Sequence, residues 1–241
     1  MNKNLLLLIL IIIVICLPIA RAELVGYWDF EEGNGTTAID KSGNNYHGQF
    51  QGDPNYTSTS KMGDYAIHLD GNDTVDINRD ILGSQYTVMA WIRYDYISSG
   101  FQHAFGQSYS GLETRSYGFD YYYRNTSPYC FHASASLTKE IWYHIAIVTS
   151  STTKSIYLDG NVIGSVNDTS NFDPSNDFFI GSNNGSVEFV TGIMDDVAVF
   201  STALSQSEIQ SVMTNGAGVP EPGLLILLLI GILGIGLLKK I

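Results

Sequence analysis

Four side chains in this 241-residue sequence have the types that hold a hard cation: Asp40, Asn45 and the adjacent pair Asp195 and Asp196. They are short oxygen donors beside runs that read as strands, and Ca²⁺ takes about six to eight oxygen ligands, backbone carbonyls included. One structural Ca²⁺ is therefore an expectation of the sequence. A regular strand lets only one of Asp195 and Asp196 face a given side. The competing reading is local: Asp40 makes an Asx turn above Ser42-Gly43, and the pair is solvated or bonded to backbone amides. Asp70, Asn72 and Asp73 make a second oxygen-rich group, which reads more readily as turn chemistry.

The second chemistry is sugar stacking. Between Tyr86 and Phe131 there are 14 aromatic residues in 46, against 15 in the other 195. Tyr117, Tyr121, Tyr123 and Arg124 are the candidate glycan contacts, with rings to stack on and a guanidinium to bond hydroxyls or a carboxylate. The alternative is that tyrosine is simply favoured in strands, with Phe119, Tyr121 and Tyr123 on one face and Tyr122 on the other.

Catalytic patterns are weak. Glycoside hydrolysis needs paired carboxylates, but Glu31 and Glu32 point oppositely on a strand, and Glu113, Glu140 and Glu188 stand isolated in the chain. A lyase would want tyrosine with a histidine or a basic residue; His103, His132, Tyr123 and Arg124 could converge, yet nothing in their spacing requires it. His144 reads as a bonded core histidine and Cys130 as a buried apolar residue. The sequence thus carries no catalytic signature.

Charge excludes another class. There are 12 Lys and Arg against 24 Asp and Glu, and Lys3, Arg21, Lys239 and Lys240 flank the apolar ends. A body so acidic repels polyphosphate, and no basic run offsets this, so nucleic acid is not the partner. The two cysteines, Cys16 and Cys130, lie in different regions and support neither an internal disulfide nor a cysteine zinc site.

The ends read as addresses. Residues 1–22 form a signal peptide, with an apolar run Leu5 to Leu17 and small residues Ala20 and Ala22. Residues 215–222 are a linker, 223–238 a transmembrane helix, and 239–241 a basic tail that holds this end on the cytoplasmic side. Val219, Pro220, Glu221 and Pro222 precede that helix. Motif, helix and tail in this order resemble the PEP-CTERM sorting signal of Gram-negative bacteria. The resemblance implies removal by an exosortase-type membrane protease-transpeptidase in bacteria that make exopolysaccharide. A plain tail anchor and a GPI signal are the competing readings.

Between Leu24 and Phe200 short β-branched and aromatic runs alternate with Gly, Asn, Asp and Ser, the pattern of an all-β sandwich or barrel. Val88 to Ile92 and Ile145 to Val148 are apolar on both faces and read as central strands. Asp159-Gly160-Asn161 marks a hairpin. Ser205 and Glu208 form a capping box, Leu204 and Ile209 a staple, and Gly216 a stop, for one short helix expected to close the bottom of the sandwich.

Landmarks along residues 23–214 then fall in order: Gly26-Tyr27-Trp28-Asp29-Phe30, Asp40-Lys41-Ser42-Gly43, Leu69-Asp70-Gly71, Val88-Met89-Ala90-Trp91-Ile92, Trp142-Tyr143-His144, Tyr157-Leu158-Asp159-Gly160 and Gly192-Ile193-Met194-Asp195-Asp196. Together they resemble laminin-G-like, concanavalin-A-type jelly-roll domains, two antiparallel sheets packed as a sandwich. The resemblance implies that Asp40 lies near the last strand, where it and one of Asp195 and Asp196 could share an ion. Residues 96–137 carry no landmark of that family, so ligand specificity is expected there. The expected function is an exported, non-catalytic, lectin-like surface protein of the envelope or extracellular matrix that binds extracellular polysaccharide or glycoprotein. A protein-binding adhesive domain and a divergent lyase or hydrolase are the alternatives.

Overall fold

The computed structural model describes residues 22–107, 110–123, 128, 130–170 and 176–218. In chain order its strands are β1 (Leu24–Trp28), β2 (Thr37–Ala38), β3 (Gly48–Gln51), β4 (Asn55–Thr57), β5 (Ala66–Asp70), β6 (Thr74–Asp76), β7 (Tyr86–Tyr94) and β8 (Gln102–Gln107). They continue as β9 (Ser110–Arg115), β10 (Gly118–Tyr122), β11 (Cys130–Ser134), β12 (Trp142–Thr149), β13 (Thr153–Leu158), β14 (Asn161–Asn167), β15 (Phe179–Ile180) and β16 (Thr191–Phe200), followed by one helix, α1 (Gln206–Asn215).

Two antiparallel sheets face each other. Sheet A runs β14-β13-β12-β7-β16-β5-β4 with β1 on β16; sheet B runs β11-β10-β9-β8-β15-β6-β3-β2. Between them Trp28, Phe30, Leu69, Val88, Ile92, Phe105, Leu112, Phe119, Ile145, Ile147 and Val199 form the main core. Hydroxyls cross this core as well: Tyr86 of sheet A bonds Ser110 of sheet B, Tyr121 of sheet B bonds Thr149 of sheet A, and Tyr121 donates to Tyr86 at 3.1 Å. Buried hydroxyls need such partners, and these tie the sheets in one register.

β7 and β12 are apolar on both faces because sheet A has two aproned sides. Met89, Ala146, Val148, Ala198 and Phe200 point away from the main core and pack with Tyr27, Leu204 and Ile209. The helix thus covers the outer face of sheet A instead of closing the bottom of the sandwich. Ser205 and Glu208 cap it reciprocally and Gly216 ends it with φ 79°. The β13–β14 hairpin turns on Asp159 and Gly160, both at positive φ (48° and 73°), as a two-residue turn between right-twisted strands requires. β8, β9 and β11 lie where the sequence shows no strand pattern. The signal peptide, the transmembrane segment and Val219, Pro220, Glu221 and Pro222 lie outside the described residues; among those described, no helix is long and apolar enough to cross a membrane.

Candidate functional site

Strand alternation gives sheet B an outer face away from the core, and register builds a row of titratable groups across it. His132 pairs with Asp120, Asp120 with Glu113, and Glu113 with His103, on β11, β10, β9 and β8. β15 inserts beside β8, so the segment that follows it passes over this row. There Asn183 and Val187 pair around a tight turn, and the backbone carbonyl of Glu188 accepts from His103 N at 2.7 Å. The result is a cleft of about 310 Å³ lined by His103, Gln107, Ser110, Glu113, Tyr122, Asn183, Asn184 and Glu188.

Imidazole and carboxylate atoms of His103, Glu113 and Glu188 all lie within 4.8 Å of one another. His103 Nδ1 stands 3.7 Å from Glu113 Oε1. Burial pushes the Glu113 carboxyl up to about 9, with the charge and hydrogen bond of Glu188 and the charge of Asp120 adding and Arg115 opposing. Burial takes His103 down to about 4 against the pull of Glu188. Near neutral pH Glu113 is therefore protonated and lies beside a neutral His103 imidazole. Asn183 Nδ2 donates to Glu188 Oε2 at 2.8 Å, and Gln107 is fixed by the Ile81 and Leu82 amides, which donate to its Oε1 at 2.9 and 2.8 Å. Outside the cleft lining the Arg115 guanidinium pairs with Asp120 and lies 3.6 Å from the Phe101 ring centre. Tyr117, half exposed, accepts from Arg115 at 2.7 Å and packs on His132 at 5.1 Å between ring centres.

Of the glycan candidates, Tyr117 is therefore on the accessible face. Tyr121 and Tyr123 are not: both are core residues, 0 % and 2 % exposed, on the inward side of β10 and its continuation. This corrects their assignment to a stacking platform. Tyr122, on the opposite side, is the tyrosine that reaches the cleft. Arg124 lies outside the described residues.

Asp40 is enclosed by donors. Its carboxylate accepts from the amides of Tyr27, Ser42 and Tyr46 at 3.0, 2.8 and 3.0 Å and from the Ser42 hydroxyl at 2.8 Å. Burial alone would raise this carboxyl, but those hydrogen bonds outweigh it and hold it below the usual range. Asn45 is exposed at φ 60° in the same turn. A β-bulge between Asp195 and Ala198 breaks the alternation of β16, with Asp196 at φ 48°. Both carboxylates consequently face the helix side of sheet A: Asp196 bonds the Tyr27 hydroxyl, and Asp195 accepts from the Lys61 and Met62 amides at 2.8 and 3.0 Å. Burial, with Asp196 beside it, takes Asp195 up to about 7; burial, offset by Tyr27 and reinforced by Asp29 and Glu31, takes Asp196 up to about 6. Among the described residues, two groups of His, Cys, Asp and Glu converge as a metal site would: His103, Glu113 and Glu188, and Asp53, Asp70 and Asp73. In the second, Asp73 accepts the Asp53 and Asp70 amides at 2.8 and 2.9 Å, the turn chemistry its sequence suggests. His144 is buried on Trp91, 5.2 Å between ring centres, and burial takes it down to about 3. Its Nδ1 has no hydrogen-bond partner, so it is a core residue but a poorly bonded one.

The Glu113 and Glu188 pair escapes sequence reasoning because the two are far apart in the chain. Nothing local in the chain signals it, because Glu113 lies on a strand the sequence does not mark and Glu188 in a connecting segment some 75 residues later.

The sequence profile of the Laminin_G_3 family, described as the concanavalin A-like lectin/glucanases superfamily, matches residues 69–210. Similar solved structures include domain 4 of AbnA, a GH43 extracellular arabinanase from Geobacillus stearothermophilus, in complex with arabinotriose (TM-score 0.61, 17 % identity, 79 % of this chain and 98 % of that one). The binding domain of Paraclostridial Mosquitocidal Protein 1 gives 0.62 at 15 % identity over 79 % of this chain and 51 % of that chain. The binding domain of botulinum neurotoxin DC in complex with rat synaptotagmin II gives 0.60 at 13 % identity over 80 % and 51 %. This chain thus spans about half the length of the two toxin structures. At such identities the likeness is one of fold. No curated protein sequence matches the chain.

Proposed function

The chain belongs to the concanavalin A-like lectin/glucanases superfamily, and from that premise we propose that it is a non-catalytic glycan-binding surface protein whose ligand enters the cleft on the outer face of sheet B. The observation that carries this is the lining of the cleft. Glu113, Glu188, Asn183, Asn184 and Tyr122 offer donors and acceptors together, the set that pairs with sugar hydroxyls, and Tyr117, half exposed and packed on His132 of the same titratable row, offers a ring to stack on. At about 310 Å³ the space is at the small end of ligand sites and takes a terminal sugar or a short stretch of chain. The arabinotriose complex of a similar domain supports the ligand class.

Export and processing belong to the same reading: a signal peptide delivers the acidic domain to the envelope or matrix, an exosortase-type enzyme acts at Val219 to Pro222, and extracellular polysaccharide or glycoprotein is the partner. A structural Ca²⁺ is supported less well, because Asp40 already holds four protein donors. The adhesive alternative rests on the synaptotagmin complex of a similar toxin domain. A glycan array probed with the full chain and with Tyr117→Ala separates the two: loss of a specific glycan signal in the variant supports the glycan reading, and capture of a protein partner with no glycan binding supports the other.

A further inference from the structure

We propose that His103, Glu113 and Glu188 bind a divalent transition-metal cation, zinc foremost, at the floor of the sheet B cleft. The inference goes beyond glycan binding and stands without it. It begins with placement. His103 and Glu113 are register neighbours on β8 and β9, each 4 % exposed. Glu188 arrives from the segment between β15 and β16, its backbone anchored to His103 N at 2.7 Å and its carboxylate steadied by Asn183 at 2.8 Å. The three ligand atoms converge within 4.8 Å.

Two atoms there point to a ligand independently of the acidic cluster. His103 Nδ1 and Glu113 Oε2 are buried and have no hydrogen-bond partner. A buried polar atom left without a partner is costly, and a cation coordinated by both removes that cost. The nearby Arg115 does not fill the role, because its guanidinium pairs with Asp120. The imidazole is also held by an unusual absence of side chains. A Cβ on Gly111 would stand 2.5 Å from His103 Cε1 and 2.7 Å from Nε2, and one on Gly106 3.0 Å from Nε2. Two glycines therefore clear the space the ring occupies, and Nδ1 is the atom turned toward Glu113.

The donor set selects the ion. One imidazole nitrogen and two carboxylates suit zinc and its neighbours, whereas calcium and magnesium prefer all-oxygen sites. Zinc bonds of about 2.0–2.2 Å imply a tetrahedral ligand separation of roughly 3.4 Å; the Glu113 carboxylate comes to 3.7 Å from His103 Nδ1 through its other oxygen, Oε1, and the three groups need only a small inward shift from within 4.8 Å. Because all three groups line the cleft, a fourth ligand would be water or a ligand oxygen from that space, and Asn183 supplies the outer support that metal-bound carboxylates require.

The test is calorimetric titration of the untagged full chain, stripped with chelator and desalted, with ZnCl₂, MnCl₂ and CaCl₂ in turn. The expected result is one equivalent of zinc, bound at least about tenfold more tightly than manganese or calcium. Glu188→Gln should weaken zinc at least about tenfold while the variant still unfolds cooperatively in chelator, since Glu188 is only half-buried; His103→Ala should abolish binding. Co²⁺ in place of zinc should give the visible absorption of a low-coordinate site, lost in both variants. Substoichiometric zinc in the parent chain, or equal zinc affinity in the parent and Glu188→Gln, overturns the proposal, as does a Co²⁺ spectrum no different from the hydrated ion. No sugar enters the titration, so its outcome is independent of the glycan reading.

Discussion

Replacing Glu113 by Gln should flatten the dependence of stability on pH. In the folded chain burial, Glu188 and Asp120 hold the Glu113 carboxyl up to about 9 from an ordinary 4.5. Unfolding above pH 4.5 therefore releases a proton, and raising the pH favours the unfolded state. The stabilising contribution is fully present below about 4.5 and is lost progressively as pH climbs toward 9. Between pH 6 and 8 one proton is released almost throughout, at about 1.4 kcal/mol per pH unit, which makes about 2–3 kcal/mol over the interval. For a domain of this size each kcal/mol moves the melting temperature by about 2–4 °C, so the parent chain should lose about 4–12 °C more than Glu113→Gln across that range. Asp195 and Asp196, also raised, contribute the same sign in both proteins and cancel in the comparison. The other groups facing Glu113 are His103 on β8, Arg115 on its own strand, Asp120 and Tyr122 on β10, and Glu188 above. All are unchanged by the substitution. The assay is a thermal scan of the full chain with chelator present throughout. Parallel curves for the two proteins would show that Glu113 is ionised in the fold and refute the reasoning.

Other changes probe the frame. Tyr121→Phe strands the buried Thr149 hydroxyl and removes a donor to Tyr86, and should cost about 1–3 kcal/mol by urea unfolding; a cost near zero would mean that the hydroxyls do not couple the sheets. Asp40→Ala leaves three amides without their acceptor and should cost about 3 kcal/mol, equally in calcium and in chelator. A cost seen only with calcium would restore an ion at that position. Ser205→Ala removes half of the capping box and should cost about 1 kcal/mol, read as a lower melting temperature with sheet signals retained; no change would imply that Leu204 and Ile209 hold the helix unaided.

Much of the frame was legible because local and global preferences agree. β7 and β12 show their double burial in unbroken apolar runs, Asp159-Gly160 shows its turn, and Ser205 with Glu208 shows the helix start. β8 and β9 were not legible because their core-facing positions include Ala104, Ser110 and Thr114, which read as loop residues until Tyr86 and Tyr94 from the other sheet reach over to bond the hydroxyls. The tyrosine run from 121 to 123 was misread for a related reason. Alternation is visible in it, but which face is wet depends on the opposite sheet, and that sheet buries Tyr121 and Tyr123. The bulge at Asp195 and Asp196 leaves no compositional trace, since neither position is glycine. The cleft itself depends on β15 pairing with β8, a contact between distant segments that brings Glu188 over His103.

The central claim is that the outer face of sheet B binds sugar, and the most direct measurement is the affinity of the full chain for arabino-oligosaccharides and bacterial exopolysaccharide fragments, beside Tyr122→Ala. Tyr122 lines the cleft without entering the core, so its loss removes a contact and leaves the sandwich intact. The account predicts saturable binding of at least one glycan class and a loss of about tenfold or more in the variant, at unchanged melting temperature. Binding that is indifferent to Tyr122, or no binding across the panel, would contradict it.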